Sequence, residues 1–211
     1  MMKKAETFFT EAENQRIAAT IAGVEKNTSG EVVAMVVSAS DTYPEAALLA
    51  GFTIGGLAAL LITDLFLHDS LGYFLPLLLG GAIGVNALAK IFPPLLRLFI
   101  PDSRMEARVA QRALLAFYEK KLHTTRDNTG VLFFISLLEH KVWILADSGI
   151  YQKISQETLL DYAKEIATGV KQGQACNALC REIEAVGTVL ARHFPVKSDD
   201  TNELSNQVLT G

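Results

Sequence analysis

The 211-residue sequence predicts an α/β domain, a small mixed sheet flanked by helices, with a two-helix transmembrane hairpin inserted in its middle. Three observations carry that reading. Two segments, Ala46–Thr63 and Ser70–Ala89, contain no charged side chain. Short runs rich in β-branched and aromatic residues lie on both sides of them: EVVAMVVS from Glu31, then GVLFFISLL from Gly130 and KVWILAD from Lys141. The remaining flanks carry apolar residues at helical spacing. One strand before the apolar region and two after it must share a sheet, because neither flank alone could bury its apolar faces.

Each element has a local cause. Thr10 and Glu13 make a capping box, and Ile17, Ile21 and Val24 follow at helical spacing. The first helix should run from Glu11 to about Asn27 and stop at Thr28-Ser29-Gly30. The short β-branched run from Glu31 reads as a buried strand. A bilayer needs roughly 20 apolar residues per helix to cross its ~30 Å hydrocarbon layer, and both apolar segments meet that length. Pro76 falls in the first turns of the second, where proline is best tolerated. Ala47, Gly51, Gly55 and Ala59 recur every fourth position, as do Gly80 and Gly84, a spacing that lets two helix backbones approach closely in lipid. Asp64 and Asp69 belong at headgroup level near the turn between the helices.

That turn carries no Lys or Arg. Lys3, Lys4, Arg16 and Lys26 precede the hairpin, and Lys90, Arg97 and Arg104 follow it. The positive-inside rule then predicts a two-pass protein of the inner (cell) membrane with both termini cytoplasmic. MMKKAETFF leads into a polar amphipathic stretch and is not expected to be a signal peptide.

Beyond the hairpin, Ser103 and Glu106 form a second capping box for a helix from Arg104 to about His123. TTRDNTG is a loop. The next two strands are separated only by Glu139 and His140 and read as a hairpin, and because that dipeptide is not a favoured tight-turn pair a loop longer than two residues is the alternative. Helices follow from about Gln156 to Thr168 and from about Ala175 to His193, where Pro195 ends the last. KSDDTNELSNQVLTG has few large apolar groups and is expected to be disordered or loosely docked. The domain plan is therefore residues 1–45 and 93–195 as two parts of one cytoplasmic domain, 46–92 as the transmembrane hairpin, and 196–211 as a disordered tail.

A net charge of −4 and the absence of a basic or basic-aromatic stripe exclude nucleic acid as an expected partner. Cys176 and Cys180 share one helix face without further Cys or His nearby, which fits buried small apolar groups better than a zinc pair. No Ser–His–Asp order, Cys–His pair, phosphate-binding glycine loop or zinc spacing stands out. His123 and His140 fall at opposite ends of the strand unit, so no joint role is expected.

One constellation could carry chemistry. If Leu138 faces Lys141, then Leu132 lies opposite Asp147 and Gly130 opposite Gly149. The loop Arg126-Asp127-Asn128-Thr129 then lies beside Asp147-Ser148-Gly149. Asp127, Asn128 and Asp147 offer hard oxygen ligands that suit calcium or magnesium, or an acid–base pair. Glu31 adds a third carboxylate if its strand runs parallel to and next to the strand from Gly130. Turn capping is the alternative use of such aspartates.

The stretches TSGEVVAMVV, RDNTGVLFFISLLEHKVWILADSGI and LARHFP, with their order of elements, resemble the TPM domain. The inserted hairpin is similar to that of a bacterial membrane-anchored branch of that family. The resemblance implies an α/β sandwich, and functions ranging from assembly or repair of membrane complexes to acid phosphatase activity or calcium binding. The family's acidic pair usually reads Asp-Asp-Gly. Here Asp127-Asn128-Thr129-Gly130 has one carboxylate fewer and one residue more. The expected function is a membrane-tethered, non-enzymatic interaction or assembly and repair module with a membrane-protein partner; a weak metal-dependent acid phosphatase is the alternative.

Overall fold

The computed structural model describes residues 4–67, 71–196 and 203–211. It forms two compact units: residues 41–105, and residues 4–40 together with 106–211. The expected turn residues His68, Asp69 and Ser70 lie outside the described residues.

The first unit is built on α2 (Pro44–Phe66) and α3 (Leu71–Ile91), which pack side by side. Both are long and apolar enough to cross a membrane. The sorting of side chains on α2 is inverted relative to a water-soluble helix. On α2 the buried residues are Ala46, Ala47, Ala50, Gly51, Gly55, Ala59 and Thr63, all small. Leu48, Leu49, Phe52, Leu57, Leu60, Leu61 and Leu65 face outward instead. In water such a surface would be an unusually large exposed apolar patch, whereas lipid solvates it and leaves packing of small groups to join the helices. The buried stripe contains the predicted Ala47, Gly51, Gly55 and Ala59. On α3 the contact falls one residue away from the predicted positions: Gly81 and Ala82 meet Gly55 and Gly51, while Gly80 and Gly84 face open space. A 3₁₀ segment, Pro93–Phe99, follows α3. At the base of this unit Arg104 donates to Glu45 Oε1 at 3.0 Å through Nε and at 2.6 Å through Nη2. That hydrogen bond, with the nearby Asp41, raises the already high pKa of the guanidinium.

The second unit is a three-layer sandwich. Its sheet has the order β3-β2-β1-β4, from β1 (Glu31–Val37), β2 (Gly130–Ser136), β3 (Lys141–Ala146) and β4 (Leu209–Thr210). β1 and β2 pair in parallel from Glu31↔Gly130 to Val37↔Ser136. Every residue of both is buried, which is why each reads as an unbroken apolar run rather than an alternating one. On one face Val32, Ala34, Val36, Val131, Phe133 and Ile135 pack against α1 (Glu11–Glu25), α6 (Gln156–Lys171) and α7 (Ala175–His193). On the other, Val33, Met35, Leu132 and Phe134 meet Val109, Ala113, Ala116 and Phe117 of α4 (Asp102–Glu119). Thr10 and Glu13 form the expected capping box. Cys176 and Cys180 are buried in the larger core, and burial, with the adjacent Cys180, pushes the Cys176 thiol up to about 11.

α1 ends at Glu25 and α6 at Lys171, against the expected ends near Asn27 and Thr168, and four further differences follow. α4 starts at Asp102, two residues early, because the Pro101 carbonyl accepts from the Arg104 and Met105 amides. It ends at Glu119, where Lys121 adopts a left-handed φ of 60° before a 3₁₀ turn at Leu122–Thr124. A short helix, α5 (Ser148–Tyr151), follows β3 directly. The disordered tail is corrected for residues 203–211: Leu209 and Thr210 pair in parallel with Met35 and Val36 as an edge strand, and Leu204 and Leu209 pack against the α4-side core. Residues 197–202 lie outside the described residues.

A Cβ built on Gly55 would stand 2.7 Å from the Ala82 nitrogen and 2.8 Å from the Gly81 carbonyl carbon, backbone atoms that cannot turn aside. Gly55→Val should therefore destabilise the hairpin by about 1–3 kcal/mol, the usual cost of overpacking. Gly80→Val, into open space, should be close to neutral. Thermal unfolding of both variants in mild detergent tests this; equal melting temperatures would contradict the packing.

Candidate functional site

The acidic end of the sheet is assembled by three local devices. In the loop before β2, Thr125 Oγ1 accepts from the Thr129 amide at 3.1 Å, and the Asn128 amide donates to the Thr125 carbonyl at 3.1 Å. Asn128 then takes a left-handed φ of 54° and stays exposed. Asn tolerates that conformation better than most residues. Thr129 Oγ1 donates to the Ser29 carbonyl at 2.9 Å and the Glu31 amide donates to the Thr129 carbonyl at 3.2 Å, so the loop is stitched to the start of β1. The LARHFP segment reaches the same place, since the Ser29 amide and Thr28 Oγ1 both donate to the Phe194 carbonyl.

The two glycines of this end are explained by contact. A Cβ on Gly130 would crowd the Leu122 carbonyl and Cβ, and one on Gly149 would stand 2.7 Å from the Asn128 carbonyl oxygen and 3.1 Å from that of Asp127. The loop 126–129 therefore abuts residues 147–149, as the sequence predicts.

The hairpin register is corrected. Ser136 pairs with Lys141, so Leu132 faces Leu145 rather than Asp147. Gly130 meets Asp147, whose amide donates to the Gly130 carbonyl at 2.9 Å. The connection is a four-residue turn, Leu137–His140, with His140 at a φ of 53°. Its cause is Glu139, which is fully buried. One of its carboxylate oxygens accepts from Ser136 Oγ at 2.5 Å and the other from the Ser40 amide at 2.9 Å. A two-residue turn would leave that carboxylate in solvent.

Glu31 at the start of β1, Gly130 at the start of β2 and Asp147 just past the end of β3 thus lie side by side, meeting the condition on which Glu31 could join the acidic pair. Neighbouring strands stand about 4.8 Å apart, which sets the Glu31 and Asp147 backbones on the order of 10 Å apart. Glu31 is buried and turns to the other side, where Oε1 accepts from the Glu203 amide at 3.1 Å. Asp147 caps α5, with Oδ1 accepting from the Ser148 amide at 2.6 Å. Its Oδ2 is shielded from solvent with no hydrogen-bond partner among the described residues. Among the described residues no three His, Cys, Asp or Glu side chains come together as a metal-binding group. Glu31, Asp127, Asn128 and Asp147, the candidate calcium or magnesium ligands, share one end of the sheet without forming such a group. His123 stacks near Tyr118, with ring centroids 4.7 Å apart, at that end, while His140 sits in the turn at the other.

Comparison with known proteins bears on the fold. No family model matches the chain, and no curated protein matches it. The NMR structure of the BA42 protein from the psychrophilic bacterium Bizionia argentinensis is similar, with a TM-score of 0.61 and 24% identity over 99% of each chain. The likeness supports the α/β architecture, a small mixed sheet flanked by helices.

A capping aspartate and a cation ligand respond differently to substitution. Asp147→Ala should cost about 1 kcal/mol through loss of the cap, while Asp147→Asn keeps the acceptor and costs little. Millimolar calcium should leave the melting temperature of the wild-type chain unchanged. A calcium-dependent rise that disappears in Asp127→Asn would instead establish a cation site.

Proposed function

We propose that this chain is a membrane-tethered, non-enzymatic interaction module, of TPM-domain type, that serves the assembly or repair of a membrane protein complex. The observation that carries this reading is the side-chain sorting of α2, small residues inward and large apolar residues outward, beside an α3 that also exposes large apolar residues. That sorting suits lipid and sits in the middle of an α/β chain whose sheet is drawn from both flanks. Lys and Arg on both flanks favour a cytoplasmic domain on the bacterial inner membrane. Reporters fused after Gly211 and inserted at Asp69 should report opposite sides, the first cytoplasmic. A periplasmic signal after Gly211 would overturn the arrangement. Co-purification in mild detergent identifies the membrane-protein partner.

One observation favours a second reading, a weak metal-dependent acid phosphatase: the shielded Asp147 Oδ2 beside the Asp127 loop. A buried carboxylate oxygen without a hydrogen bond is costly and calls for an explanation, a catalytic role among them. The acidic loop nonetheless supplies too few ligands to hold a divalent cation firmly. The purified chain should therefore not hydrolyse p-nitrophenyl phosphate with magnesium above background. Turnover that is lost in Asp127→Ala would establish the phosphatase and displace the first reading.

A further inference from the structure

β1 has β2 on one side, and its other side is the sheet edge, covered by the chain's own residues 203–211 and by Glu25 of α1. The only ladder there among the described residues is β4, which covers Met35 and Val36 of the seven residues of β1. Alternate residues of a strand direct their backbone groups to alternate sides. Val36 accepts from the Gly211 amide at 3.2 Å on this outer side, so Val32 and Ala34 face it too.

An open strand edge attracts other strands, and proteins protect it. Here the protection is a separate piece of chain, residues 203–211. At one end the Val32 amide donates to Glu25 Oε1 at 3.0 Å, and Glu25 Oε2 accepts from Asn206 Nδ2 at 2.6 Å. The Glu203 amide donates to Glu31 Oε1 at 3.1 Å. At the other end the Ser38 amide donates to the Gly211 carbonyl at 3.4 Å. Leu204 and Leu209 reach the α4-side core, and Val208 the opposite core. All three are half-exposed, not buried. The segment is bound as an extended peptide is bound: main-chain bonds along a strand edge, two carboxylates reading donors, and shallow apolar seats for chosen side chains.

We propose that the outer edge of β1 is a strand-addition site for an extended segment of a partner protein, and that residues 203–211 occupy it as an intramolecular stand-in. The partner segment runs parallel to β1. It places apolar side chains where Leu204, Val208 and Leu209 lie and a donor such as an amide where Asn206 meets Glu25. The pattern is Leu-x-Asn-x-Val-Leu. This deepens the interaction-module reading by naming its binding edge, and it rests on that reading only for the identity of the partner.

The test begins with the full chain in mild detergent, carrying a protease recognition sequence within residues 197–202, so that folding precedes cutting. A fluorescent peptide of residues 203–211, ELSNQVLTG, is the probe. A tethered segment competes at an effective concentration of about a millimolar. Cutting and dialysis should therefore raise probe binding at least about tenfold over the uncut chain. Replacing the leucines corresponding to Leu204 and Leu209 in the probe by aspartate should abolish it. Glu25→Gln in the nicked protein should weaken the wild-type probe and leave a probe with alanine at the Asn206 position unaffected. Hydrogen exchange at Ala34 and Val36 reports the occupied edge without cutting: it should rise in full-chain Leu209→Asp and fall again with added probe. A nicked chain that binds no probe, or binds the aspartate peptide equally well, overturns the proposal. So does exchange at Val36 that is unmoved by Leu209→Asp. None of these readouts depends on membrane orientation or on phosphatase activity, so the proposal and the functional reading fail separately.

Discussion

The parallel pairing of β1 with β2 is the constraint on which the rest depends. These strands flank the apolar helical hairpin in sequence, yet they are neighbours from Glu31↔Gly130 to Val37↔Ser136. Parallel neighbours need a long crossover, ordinarily a helix packed on the sheet. Here the crossover contains α2 and α3, whose apolar outward faces suit lipid. The remaining link, α4, returns to the sheet and covers one face with Val109, Ala113, Ala116 and Phe117. The hairpin is therefore not appended to the domain: the sheet cannot close unless the chain on both sides of α2 and α3 comes back to it. The buried Glu139 carboxylate holds this closure, taking one hydrogen bond from Ser136 at the end of β2 and one from Ser40 beyond β1.

Much of this was legible because the relevant signals are local. Lipid-length apolar runs, the Thr10–Glu13 box, the unbroken apolar strands and Gln156 and Ala175 as helix starts each depend on neighbours in sequence. What stayed hidden depends on residues brought together only by the fold. The hairpin register turns on Glu139, and one of the groups that draws it inward is the amide of Ser40, on the far side of the whole inserted helical hairpin in sequence. Helix-packing phase has a similar cause. The repeat of four selects Gly80 and Gly84, because Val85 and not a small residue follows Gly81 by four, and only contact with Gly55 reveals Gly81. The candidate site was legible as a place and not as a chemistry. Asp127 and Asp147 do belong to abutting loops, but which way Glu31 points depends on Glu203, in a segment whose sequence carries no strong pattern.

The two edges of the sheet show what that segment changes. β3 ends the sheet on one side. It is protected in fixed fashion: α6 packs against it, and Lys141 places a charge there, 4.0 Å from Glu106. Charge and a covering helix are the usual guards of a strand that must not pair. The β1 edge has carboxylates at its start, Glu31 and the α1 residue Glu25, and α1 packs on the strand, but the run beyond them carries no charge. Its residues are entirely apolar from Val32 to Val37 and fully buried, so without residues 203–211 it would present an open strand to any extended chain nearby. A two-residue strand with half-exposed leucines is a weak guard by comparison, since main-chain ladder and buried area both scale with length. A protein that needed only to silence this edge has the means on its other side. Leaving it to a separable peptide is the arrangement expected where the edge must sometimes be available.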